Sequence, residues 1–329
     1  MTVLSDVRLR TYAGEDDVPG IVRVVNAESA ADHIEEVWSV DSLRAWLRHP
    51  SEHFDPARDV VVAELGDRVV AAGRTEWVDT RDGRYREYRS WGWVDPELRR
   101  QGIGSTLLGE LERRADVLAS GHDDGRERVR AAFAAAGRPG EQLLLDHGYE
   151  AVRWFFDMVR PDLEGLEEPP LPDGLELRPV TPDQHETIWR ANREAFRDHW
   201  GGADESLDQL RRILDHPDTD TSLWLVAWDG DEVAGGVWNE IRSEENQVLG
   251  LRRGWLDSVF TRRPWRKRGL AGALIGRSLT LLREHGMTSA ILGVDADNPT
   301  GALGLYEGAG FAVHDRFLAM RKPMGGPAT

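Results

Sequence analysis

Apolar positions change period along the chain, and the changes come in the same order twice. Val7, Leu9 and Thr11 alternate with Arg8 and Arg10, the two-residue period of a strand. Glu15, Asp16 and Asp17 then open a helical run through Ile21, Val24 and Val25, and Leu43, Trp46 and Leu47 mark a second short helix. Strand-like runs over 60–63 and 69–74 flank Gly66 and Asp67, a hairpin signal. Tyr85–Val94 reads as a further strand, stopped by Asp95 and Pro96, and a helix follows through Leu107, Leu108 and Leu111. Residues 128–133 suggest a strand, 142–145 a short helix closed by Gly148, and 149–159 a last strand.

Residues 163–174 carry Glu164, Glu167, Glu168, Pro169, Pro170 and Pro172, the composition of an exposed, semi-rigid linker. Beyond it the elements recur. Leu175 to Arg178 echoes the first strand, with Arg10 and Arg178 lying 168 positions apart. Gly66 and Gly230 are 164 apart, Gly102 and Gly269 are 167 apart, and Gly148 and Gly310 are 162 apart, as are Met158 and Met320. Offsets this constant imply two copies of one domain, divided as 1–162 and 175–329 around the linker at 163–174.

Composition narrows the choice of function. The chain has 329 residues, of which 40% are hydrophobic and 30% charged, as in a globular protein. A net charge of -17 argues against nucleic acid or an anionic membrane as main partner. With no cysteine, disulfides, thiolate catalysis and Cys-ligated metals are excluded. The first ten residues lack the apolar core of a signal peptide, and the longest apolar run is too short to cross a bilayer, so a cytoplasmic location is the expectation. The scattered histidines show no metal spacing.

Against this acidic background, 262–268 is a basic island. Trp255 to Thr261 reads as a strand and Leu270, Leu274, Ser278 and Leu281 recur at helical spacing, so Arg266, Lys267, Arg268, Gly269, Leu270, Ala271 and Gly272 form a basic glycine turn at a helix N-terminus. Unpaired N–H groups and the helix dipole suit such a turn to a phosphate, and the small residues admit a bulky anion. Arg99, Arg100, Gln101, Gly102, Ile103, Gly104 and Ser105, after Val94, form the same turn in the first copy.

Both turns fit the Gln/Arg-x-x-Gly-x-Gly/Ala signature, and the chain resembles the GCN5-related N-acetyltransferases, the GNAT family, in its tandem, mycothiol synthase-like form. Asn298, Ala302, Tyr306, Gly310 and Phe311 resemble the family's second signature, and Asn298 before Pro299 reads as the cap of a helix. The resemblance implies an α/β fold of two tandem domains, each a central, mostly antiparallel mixed sheet flanked by helices. It implies acetyl-CoA as cofactor, held by the basic turn, by Asn298 and by the backbone of Val259, Phe260 or Thr261.

The implied reaction is direct attack of a primary amine on the thioester. An alkylamine titrates near about 10.4 and needs a base; Asp257 is preferred because it alternates onto the face of Val259 and Thr261, with Glu240 as the other candidate. Tyr306 is the expected proton donor to the thiolate. His199 and Trp200 are the acceptor-binding candidates. In the first copy Leu144 falls opposite Tyr306, Ala136 opposite Asn298 and Ser90 opposite Asp257, so that copy is expected to bind a CoA-like anion or nothing, and not to catalyse. A small-molecule amine is the expected acceptor and a monomer the expected state. A non-catalytic acyl-CoA sensing protein and acetylation of a protein or peptide amine are the alternatives.

Overall fold

Two runs of paired strands of the same design account for the duplicated pattern. The computed structural model describes residues 6–298 and 301–325, which form twelve strands and ten helices. These are β1 Val7–Thr11, α1 Val18–Ala31, α2 Val40–Arg48, α3 Pro56–Asp59, β2 Val60–Leu65, β3 Arg68–Asp79, β4 Tyr85–Val94, α4 Ile103–Ser120, β5 Glu127–Ala135, α5 Pro139–Asp146 and β6 Glu150–Arg160. The second series is β7 Glu176–Arg178, α6 His185–Ala195, α7 Leu207–Asp215, β8 Leu225–Asp229, β9 Glu232–Glu240, α8 Ser243–Leu249, β10 Arg253–Thr261, α9 Leu270–Glu284, β11 Ser289–Asp295, α10 Ala302–Gly308 and β12 Ala312–Pro323. None of these helices is long and apolar enough to cross a membrane.

The chain forms two compact units, and they cut the sequence differently from a contiguous split. The first holds the residues up to Trp154 together with Trp200–Arg212 and the segment from Phe317; the second holds Phe155–His199 and Ile213–Arg316. In the first, β1, β2, β3 and β4 pair antiparallel in turn, β4 pairs parallel with β5, and Phe317–Pro323 of β12 pairs antiparallel with β5. Alternation sends Val60, Val62 and Ala72 towards α1 and α2, and Val61, Ala63 and Ala71 towards Ile103, Leu107 and Leu111 of α4.

The second unit repeats the order with β7, β8, β9, β10 and β11, antiparallel except for β10 with β11. Its sheet is continued by Phe155–Arg160 of β6, antiparallel to β11 from Asp295↔Phe155 to Ala290↔Arg160. Leu270, Leu274, Ile275, Leu279 and Leu282 of α9 pack on one face with Leu256 and Leu292. On the other, α6 stacks Trp189 over Trp238 and donates from Asn192 to the Ser258 hydroxyl at 2.7 Å.

The segment expected to be an exposed linker is instead strapped along α9. Leu163 is buried, and Leu166 and Leu171 pack on the same core, while the intervening Glu and Pro residues face outwards. Arg277 donates to the Pro169 carbonyl at 2.6 Å. The close approach needs Gly276, where a Cβ would stand 2.5 Å from the Glu167 carbonyl oxygen. Interleaved leucines are the reason: the segment carries apolar groups that have a surface to cover.

Candidate active site

The site of the second unit begins where two parallel strands stop pairing. β10 and β11 are bonded only over Arg253–Trp255 against Ser289–Ile291, which leaves β10 six residues, Leu256 to Thr261, past its last β11 partner. A bulge starts the divergence: Leu256 faces Asn239 and Ser258 faces Trp238 across β9, so Asp257 is an extra residue. It therefore has no register counterpart in the first unit, and the opposition of Ser90 to Asp257 read from the sequence is corrected. A cavity of about 700 Å³ lies in the gap, lined mainly by apolar groups, within the size range of cofactor sites.

The basic turn closes one end of this cavity. Lys267 has φ 61 and Gly269 φ 86, two left-handed residues in one turn, and α9 starts at Leu270. Such alternation converges backbone N–H groups on one point at the positive end of a fifteen-residue helix. Arg266 is a strut within the turn. Its guanidinium donates to the Thr261 carbonyl at 3.1 Å, the Ala195 carbonyl at 2.9 Å and Asp198 at 2.8 Å. Hydrogen bonds from Arg263 and Arg266 hold the Asp198 carboxyl well below the usual range. Arg268 turns away to the Asp173 carbonyl at 3.1 Å.

The titratable groups Asp257 and Tyr306 line the same cavity. Asp257, Val259, Phe260 and Thr261 line the cavity, as does buried Tyr306 on α10. Burial pushes Tyr306 up to about 12, so its hydroxyl keeps its proton at neutral pH. Glu240, at the end of β9, sits behind Asp257 and is pushed up to about 7, first by burial and then by the Asp257 charge.

Most of the residues singled out from the sequence meet here. Arg266, Lys267, Gly269, Leu270, Ala271, Gly272, Asn298, Tyr306 and His199 line the same cavity as Asp257. Two expectations are corrected. Trp200 belongs to the first unit, where Arg321 lies 4.7 Å over its ring. Asn298 is not the residue that precedes α10: its carbonyl accepts from Gly301, and α10 starts at Ala302, after Gly301 in the left-handed region. Pro299 lies outside the described residues.

Among the lining residues that sequence reasoning missed are Phe155, Phe156 and Asp157 of β6. No local signal marks them, because they come from the far side of the linker segment.

The first unit has the turn without the gap. Arg100 and Gly102 have φ 63 and 87, matching Lys267 and Gly269. However, β4 stays paired with β5 through Ser90↔Ala132, so four residues, Trp91 to Val94, run past the last pair instead of six. The turn is also filled in. A Cβ on Gly104 would lie 3.3 Å from Leu143 and 3.7 Å from Val94, and the Val94 N–H donates to the Glu28 carboxylate. Arg99 is tied to Asp32 at 2.6 and 2.7 Å, as Arg266 is to Asp198.

The model of the Acetyltransferase (GNAT) family matches residues 24–120 and 185–311. A mycothiol acetyltransferase of Geodermatophilus obscurus is 28% identical, covering 93% of this chain and 94% of its own. One from Frankia alni is 30% identical over 91% of this chain and 90% of its own. Among solved structures, a GCN5-related N-acetyltransferase from Sphaerobacter thermophilus matches with TM-score 0.70 and 25% identity, covering 97% and 96% of the two chains. A tandem GNAT protein from the clavulanic acid biosynthesis pathway matches in fold, with TM-score 0.69, 16% identity and coverage of 98% and 100%.

Proposed function

The chain belongs to the GNAT acetyltransferase family and is an acyltransferase, and we propose that its second unit moves an acetyl group from acetyl-CoA to a primary amine of a small molecule. The observation that carries this reading is the single cavity that joins the N-terminus of α9 to Asp257 and Tyr306.

The residues fit the cofactor. The converging N–H groups of the turn suit a pyrophosphate, Lys267 adds positive charge, and the apolar gap with Asn298 on its wall suits a thin, amide-bearing arm. Bound there, acetyl-CoA supplies an activated carbonyl on a thiol leaving group. Asp257 takes the amine proton as the nitrogen–carbon bond forms. The edge of β10 at Val259 to Thr261 presents backbone N–H groups to the carbonyl oxygen. Tyr306 holds the proton that the sulfur needs as its bond to carbon breaks.

Relatives named mycothiol acetyltransferase support a small acceptor, and Asp257 with Glu240 suits one that arrives as an ammonium. The test is thiol release from acetyl-CoA against a panel of small amines. One or more should accelerate release; if none does while coenzyme A still binds, the enzymatic reading is lost.

A further inference from the structure

Behind Asp257 a cation joins the two acids. Arg242 follows the end of β9 by two residues and lays its guanidinium over the Trp255 ring, 4.0 Å from the centroid. Nε donates to Glu240 Oε2 at 3.1 Å. Nη2 stands 3.1 Å from the same oxygen and 3.5 Å from Asp257 Oδ1. Trp255 is itself fixed, because its indole N–H donates to Glu245 Oε1 at 2.8 Å. The fork therefore cannot swing without losing a stacking contact. Glu240 is mostly buried, whereas the Asp257 side chain is 42% exposed and lines the cavity.

We infer that Arg242 is a positioning residue for the acyl transfer proposed above, holding the Asp257 carboxylate at its bulge, open to the cavity, and coupling its charge to that of Glu240 behind it. The inference rests on that reading of the site. Arg242 touches neither substrate and keeps its protons throughout, and the amine proton goes to Asp257.

The groups around Glu240 come from four elements. Asp257 faces it from β10, Arg242 from the segment after β9, and Asp218 from the segment after α7. Glu245 on α8 faces Arg242, and His216, after α7, faces both Arg242 and Asp257. Burial and the two aspartates raise Glu240, and Arg242 draws it down. Burial works against the Arg242 charge, but Glu240, Asp257 and Glu245 outweigh it. Burial lowers His216, which leaves the imidazole neutral near pH 7. Arg242 is thus the positive charge that restrains a carboxyl group titrating near neutrality, and it bridges that group to Asp257 at the cavity.

The test follows the pH dependence of kcat for amine-stimulated thiol release beside the carbon-13 titration of the Glu240 carboxyl in the free, full-length protein. In R242Q the Glu240 titration should move up by about one pH unit or more, since an opposite charge at this range shifts a carboxyl by about 1–3 units. The acidic limb of the kcat profile should move with it, while KM for acetyl-CoA stays unchanged. R242K keeps the charge without the fork, so it should restore the limb but only part of kcat.

A merely structural role would lower kcat at every pH and leave the limb in place. A limb that stays put in R242Q, or a Glu240 titration that does not move, overturns the inference and leaves the transferase reading standing. Absence of amine-stimulated release in the unaltered protein is seen before any variant is made. It overturns the transferase reading and this one with it. Calorimetric binding of coenzyme A to each variant shows that the site is still folded.

Discussion

Gly102 and Gly269 adopt the same backbone conformation, φ 87 against 86, each as the residue preceding a long helix. Only the second opens onto a gap between strands. One coenzyme A per chain is therefore the expected stoichiometry, read by isothermal calorimetry. Gly269→Val should abolish that binding, because a β-branched residue is strained in the left-handed region and crowds the turn. Gly102→Val should lower the melting temperature and leave the stoichiometry at one. Two equivalent sites would contradict this account of the first unit.

Of the two candidate bases, Asp257 and Glu240, Asp257 is the one that lines the cavity. Asp257→Asn keeps the shape and removes the base, so kcat should fall by about 10²-fold or more at pH 7. KM for acetyl-CoA should hold, because the turn that binds the cofactor is untouched. Steady-state thiol release checks both. A variant as active as the parent would transfer the role of base to another group.

Tyr306→Phe should lower kcat by about tenfold to a hundredfold, with coenzyme A affinity preserved. Because burial pushes Tyr306 up to about 12, its ionisation should add no alkaline limb to the profile below about pH 10. A substitution without effect on kcat would remove Tyr306 as the donor while leaving the cofactor site intact.

Glu28 and Glu240 are both pushed up to about 7, in each case chiefly by burial. A carboxyl raised in the folded state stabilises the fold below its unfolded value near about 4.5, and that stability is lost as pH rises to about 7. Glu28→Gln removes the cost of ionising a buried group. Its stability relative to the unaltered protein should thus improve between pH 5 and pH 8, by up to about 3 kcal/mol. Urea unfolding at the two pH values measures this. A relative stability that is flat or falls over the interval would refute the burial argument.

Residues 175–329 made alone would lack Phe155–Arg160, leaving β11 with an unpaired edge and the cavity without its Phe155 and Phe156 wall. Such a fragment should aggregate or bind coenzyme A far more weakly than the whole chain. A fragment beginning before Phe155 should recover binding if the strand is the missing part. Solubility and calorimetry of the two fragments decide the matter.

Periodicity located nearly every strand of the first half, and Tyr85–Val94 was legible to the residue, because its aromatic and β-branched residues end at Asp95 and Pro96. The turn at Arg266 to Ala271 was equally plain, since glycine, basic charge and a helical period coincide there. Three features were not. The bulge at Asp257 depends on the register with β9, which no local pattern carries. The Glu240–Arg242–Asp257 bridge joins the end of β9 to the middle of β10 through a cation that looks like ordinary surface charge in the sequence. The assignment of Phe155–Arg160 and of Phe317–Pro323 to their units is a matter of pairing partner, and both strands look the same whichever sheet they join.

That last arrangement has a consequence for how the protein is made. The first unit contains residues up to Trp154 and also Phe317–Pro323, so most of the second unit lies between them in sequence. During translation β5 must wait with one edge bare until the residues of the second unit have been made, and in that time other nascent chains are free to dock on it. The first unit is thus begun early and finished late, and its period of greatest exposure to a neighbouring ribosome's product is set by the length of the second.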